Sequence, residues 1–180
     1  MSVWAKALGF VAIVIPTLLF AQASKPDPWA QVRFLVGHWQ GSASGQAGEG
    51  VVTRQYEFVL GQQFLHEKNV STYPPQEKNK EGEVHEHWSF LSFDRVRKVL
   101  VLRQFHLEGF VNQYAFVPEK STAQKLVFES ESFENFSNKW RARETYDILN
   151  PDEFTETFEL APPDKSFEIY SKNHFKRVRQ

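Results

Sequence analysis

From Trp39 onward the chain breaks at short intervals on turn residues, and between the breaks apolar side chains fall on alternate positions. That rhythm constrains the fold more than any other feature, because a period of two belongs to half-buried strands and not to helices. The breaks are Leu60-Gly61, Phe93-Asp94-Arg95, Glu108-Gly109, Asn150-Pro151-Asp152 and Pro162-Pro163-Asp164, each with turn chemistry. They bound strand-sized segments at 51–60, 63–72, 83–93, 98–107, 110–117, 125–133, 139–149, 153–160 and 167–178. A strand opening at Trp39 brings the number to about ten. Such a series predicts an all-β fold: a closed, up-and-down antiparallel barrel.

The first strand is introduced by Phe34-Leu35-Val36-Gly37-His38-Trp39-Gln40-Gly41. Residues 28–36 are amphipathic, begin on a proline and end before Gly37, which predicts a short helix over one end of the barrel. Gly37 and Gly41 flank Trp39 and allow a tight bend and close backbone approach. An indole at the barrel floor closes it against water, and Arg177 is placed to cover its face as a cation. Gly37, Trp39 and Arg177 are therefore the structural candidates.

Lys6, an apolar run at residues 7–20 and Ala21-Gln22-Ala23 form the three-part pattern of a secretory leader, too short in its apolar run for a membrane span. Residues 1–23 read as a signal peptide cleaved after Ala23, and residues 24–180 as one domain that is exported, periplasmic or secreted. No later segment is apolar enough to cross a bilayer as a helix. The chain has no cysteine, so neither a disulfide nor a thiolate is available. Its formal charge is -1, from 21 basic and 22 acidic residues; losing Lys6 with the leader leaves 20 against 22, or -2. This balance gives no reason to expect a nucleic-acid partner. With 17 phenylalanines and 1 methionine the core is aromatic, which suits a barrel interior.

Alternation assigns Leu126/Phe128, Trp140/Ala142/Tyr146/Ile148, Phe154/Phe158/Leu160, Phe167/Ile169, Val84/Trp88/Phe90 and Phe110/Tyr114/Phe116 to the inner face, with Arg54/Tyr56/Phe58 and Phe64/Val70. The same parity carries polar residues inward: Arg54, His66, Glu86, Asn112, Tyr114, Glu144 and Glu156, with Arg103 from a strand apolar on both faces. Unpaired buried charge is costly, so these groups are expected to satisfy one another, water or a ligand. They are the ligand-binding candidates, with a small amphiphile as partner and its polar end at Arg103, Tyr114 and His66. His85 and His87 share one strand face at a spacing that can ligate a metal, but no third ligand is evident nearby. No nucleophile elbow, phosphate loop or zinc-protease helix motif is present.

The Gly-x-Trp stretch, the ten strands and the closing Arg177 together resemble the calycin barrels: lipocalins, fatty-acid-binding proteins and most closely the nitrobindin-like barrels and small secreted bacterial relatives of unassigned function. The resemblance implies a closed barrel around a cavity for a small, largely apolar molecule. In nitrobindin-like proteins that molecule is haem, held by a histidine on the last strand, which here is His174. Parity sets His174 opposite Phe167, Ile169 and Phe175 unless a bulge intervenes. Three classes of function follow in order: an exported binding protein without a cofactor, a haem protein using His174, and an enzyme using Glu86, Glu144 or Glu156 as a buried acid or base.

Overall fold

A computed structural model describes residues 27–77 and 79–179; the leader read at residues 1–23 lies outside them. Ten antiparallel strands form one closed barrel: β1 (Gly37–Gly45), β2 (Gly48–Val59), β3 (Phe64–Tyr73), β4 (Glu83–Asp94), β5 (Val99–His106), β6 (Val111–Phe116), β7 (Lys125–Glu134), β8 (Arg141–Asn150), β9 (Glu153–Ala161) and β10 (Glu168–Arg177). Each strand pairs with its sequence neighbours, and β10 returns to β1 to close the sheet. Strand edges, which invite aggregation, are thereby removed.

The segment at 28–36 is not an α-helix. It forms turns followed by a single 3-10 turn at Arg33–Leu35. A segment this short gains too little from helical hydrogen bonds to hold a regular helix, and tertiary burial sets its shape. Asp27 Oδ1 accepts from the Trp29 N–H at 3.0 Å, and Trp29, Val32 and Leu35 are buried in the core. The end-covering role thus falls to turns.

At this floor Trp39 donates from Nε1 to the Leu35 carbonyl at 2.6 Å, and the Arg177 guanidinium lies 4.2 Å from the centre of its ring. Arg177 also donates to the carbonyls of Val36 at 2.6 Å, Phe34 at 2.5 Å and Pro151 at 3.0 Å, and to Asp152 Oδ1 at 2.9 Å. One side chain so ties the closing strand to the floor and to the β8–β9 turn. Gly37 has φ +122°, and a Cβ there would meet Arg177 Nη1 at 2.9 Å. A Cβ on Gly41 would meet the His174 carbonyl oxygen at 2.0 Å, so only glycine admits β10 this closely.

Candidate functional site

The interior is layered. Trp39, Leu35, Leu65, Leu91, Phe154 and Phe175 make an apolar floor, all buried. Above it runs a charged belt. Arg54 donates from Nη1 and Nη2 to the two Glu156 oxygens at 2.5 Å each, and from Nε to Asn69 Oδ1 at 2.7 Å. Glu67 Oε1 lies 3.1 Å from the same Nε. Asn173 donates to Glu156 Oε2 at 2.8 Å, and Gln104 reaches Glu144 Oε1 at 3.4 Å. Asn112 donates to the Tyr114 hydroxyl at 3.0 Å.

Burial alone would raise the Glu67 carboxyl, but Arg54 and the His87 ring outweigh it and hold it at about 2. Glu144 moves the other way: burial, and then the charge of Glu156, push it well above the usual carboxylate range. The Arg54 fork is already committed to Glu156, so Glu144 keeps its proton. One guanidinium therefore faces two carboxylates, and the belt carries an excess of acceptors. Glu67 Oε2, Glu144 Oε2 and Asn173 Oδ1 are buried without a hydrogen-bond partner among the described residues.

At the end opposite Trp39, three of the six histidines come together. His87 on β4 is directly paired with His106 on β5, and His85 lies two residues before His87 on the same face. Their ring centres are 5.2–5.6 Å apart, and one ligating nitrogen from each lies within 4.8 Å of the others. Burial, then the His87 and His85 rings, hold His106 down to about 3, so it is neutral at physiological pH. His106 is stacked on Phe110 at 4.2 Å. Phe133, Phe136 and Trp140 adjoin in edge contacts of 5.8 Å, giving this end an aromatic rim. An open pocket of about 350 Å³ over β4 and β5 is lined by Trp88, Phe90, Phe105 and Leu107 and reaches His87 and His106.

Of the residues expected inside, Arg54, Asn112, Tyr114, Glu144 and Glu156 are buried in the barrel. His66, Glu86 and Arg103 are on the outer face, which corrects their placement. Phe90 pairs with His66 on one side and Arg103 on the other, and its ring stacks on His66 at 4.9 Å. Arg103 donates to Ser92 Oγ at 3.2 Å, and Glu86 accepts from Trp88 Nε1 at 3.0 Å. Phe64/Val70 and Val84/Trp88/Phe90 are outward with them; Leu65, Glu67, Asn69, Ser71 and Tyr73 of β3 and His87, Ser89 and Leu91 of β4 are the buried set. Alternation is real in these strands, but the belt makes the inner face polar, so apolar parity marks the outside. On β10 a bulge between Ile169 and Ser171 shifts the register. Ile169 is left exposed, and the Phe167 ring sits outside under Arg143 at 3.9 Å.

His174 is also outward. Its Nε2 lies 2.7 Å from Glu153 Oε1, while Phe175 fills the inner position, stacked on Phe154 at 4.8 Å. The residues present therefore do not fit a haem held by His174. Sequence reasoning missed Glu67, Gln104 and Asn173 in the belt, and His106 as the neighbour of His85 and His87.

No family model matches the sequence, and no curated protein matches it either. Among solved structures, the crystal structure of Rv2717c from M. tuberculosis is similar, with a TM-score of 0.61 and 14% sequence identity. The match covers 86% of this chain and 99% of that one. At such identity the likeness is one of fold, a closed antiparallel barrel.

Proposed function

We propose that this chain is a binding barrel for a small amphiphile that enters at the histidine end, its apolar part against the aromatic rim and its polar end on the charged belt. The observation that carries this is a pair of buried acceptors without partners among the described residues, Glu67 Oε2 and Asn173 Oδ1. Buried polar atoms are ordinarily satisfied by protein, water or ligand, and each unsatisfied one costs about 1–3 kcal/mol. Because Arg54 is already matched by Glu156 and Glu67, the belt suits a donor such as an amine, hydroxyl or amide. It does not suit an anion. The sequence-based expectation of a polar ligand end at Arg103 and His66 is replaced accordingly, since both lie on the outer face. The calycin-like reading and export through cleavage after Ala23 belong to the same proposal; N-terminal sequencing of secreted material is expected to begin at Ser24, and an intact leader would remove the export part.

The test is titration, with metal chelated, of an alkylamine, an alcohol and a fatty acid of one chain length, followed by tryptophan fluorescence. The amine and alcohol are expected to saturate and the acid to bind at least about tenfold more weakly, the scale of one charge-assisted hydrogen bond. Asn173→Ala should erode that preference. Equal binding of the acid, or no saturable binding at all, removes the reading.

A further inference from the structure

We propose that His85, His87 and His106 hold one divalent transition-metal ion, with zinc as the best fit, at the histidine end of the barrel. Each ring has one nitrogen engaged by a side chain outside the trio and one turned toward the other histidines. His85 Nδ1 lies 2.8 Å from Glu108 Oε1, His87 Nε2 lies 3.3 Å from Glu67 Oε1, and His106 Nε2 lies 3.2 Å from Asn112 Nδ2. The remaining nitrogens are His85 Nε2, His87 Nδ1 and His106 Nδ1. Metal-ligating histidines characteristically have their second nitrogen fixed in this way, commonly by a carboxylate, which sets tautomer and ring orientation.

The spacing agrees. His85 Nε2 and His106 Nδ1 are 3.4 Å apart, and two imidazoles bound tetrahedrally to zinc have nitrogens about 3.3 Å apart, from a Zn–N distance of about 2.0–2.1 Å. An independent sign is His87 Nδ1, which is buried with no hydrogen-bond partner among the described residues. A lone pair on that atom would be met by the ion. Asn112 can serve the loaded state as well. With its amide turned, Oδ1 accepts both from His106 Nε2–H and from the Tyr114 hydroxyl, and His106 Nδ1 is free to ligate.

Imidazole donors select zinc, copper or nickel over magnesium or calcium. Three protein ligands leave a fourth position for water or a small exogenous ligand, the pattern of an open zinc site. Nothing in this proposal requires the amphiphile above.

The test uses the full chain stripped by a chelator and no organic ligand. Cobalt is titrated by its visible d–d absorption and zinc by competition with a chromophoric chelator. A single equivalent with a tetrahedral cobalt spectrum is expected. His85→Ala, at a partly exposed ring, and His106→Ala should abolish tight binding. Glu108→Gln should weaken it about tenfold or more, the scale of a lost outer-shell partner, while His174→Ala and Glu83→Gln leave it unchanged. Circular dichroism checks that each variant is folded. Sub-stoichiometric uptake, or unchanged affinity in folded His85→Ala, overturns the proposal. So does loss with Glu83→Gln while His106→Ala still binds, which would put the ion at Glu83, His85 and Glu108 instead.

Discussion

At the scale of single residues, the belt separates two carboxyls that the sequence presents as equivalents. Glu156 is neutralised by a bidentate guanidinium, while Glu144 has only Gln104 at 3.4 Å and burial raises its proton affinity. A carboxyl whose folded pKa is raised contributes stability that is complete below its unfolded pKa and is lost as pH rises toward the folded one. Relative to Glu144→Gln, the native protein should therefore lose about 1.4 kcal/mol per pH unit across that window. Thermal unfolding of both proteins from pH 4 upward, on the order of one reading per unit, checks this. Parallel curves would mean that Glu144 is already ionised in the fold. The burial of Arg54, Glu144 and Glu156 was legible because their strands keep a conventional apolar face. Their division of roles was not, since it depends on which acid reaches Arg54 across the barrel.

Among the elements, strand number and bounds were readable from turns and alternation, and the facing of β3 and β4 was not. Hydrophobic parity assumes an apolar inside, whereas here Glu67, Asn69, His87 and Ser89 face inward. A better signal lay in the β2–β3 turn, where Val59 pairs with Phe64 and Phe58 with Leu65. Cross-strand partners share a face, so an inward Phe58 forces Leu65, Glu67 and Asn69 inward whatever their polarity. His106 could have been found by the same step from β4 to β5, because it is the partner of His87. The bulge in β10 has no comparable signature, and it alone undid the facing of Ile169. The β1–β10 seam makes its own prediction. Gly41→Ala drives a Cβ to 2.0 Å from the His174 carbonyl, so the ladder must part there. A loss of about 2 kcal/mol or more is expected, the upper range for single substitutions. Denaturant unfolding together with faster amide exchange on β1 and β10 would register it, and unchanged exchange on both strands would refute it.

For the whole molecule, closure depends on the last strand. Removing the chain after Ala161 deletes β10 and leaves β1 and β9 as bare neighbours, so the truncated protein should run as aggregates by size exclusion. A monomeric, soluble truncation would show that the other nine strands suffice. The seam that Arg177 fastens also has a consequence in time. Its bond to the Val36 carbonyl spans 141 positions, so the contact that completes the barrel is among the most distant in sequence. Hairpins from β2 to β9 can assemble as neighbours, yet β1 keeps one side unmatched until the final residues arrive. Refolding should accordingly fall in the millisecond-to-second range of non-local β topologies, with joining of the two ends as its slow step. During synthesis, the first strand made is the last to be finished.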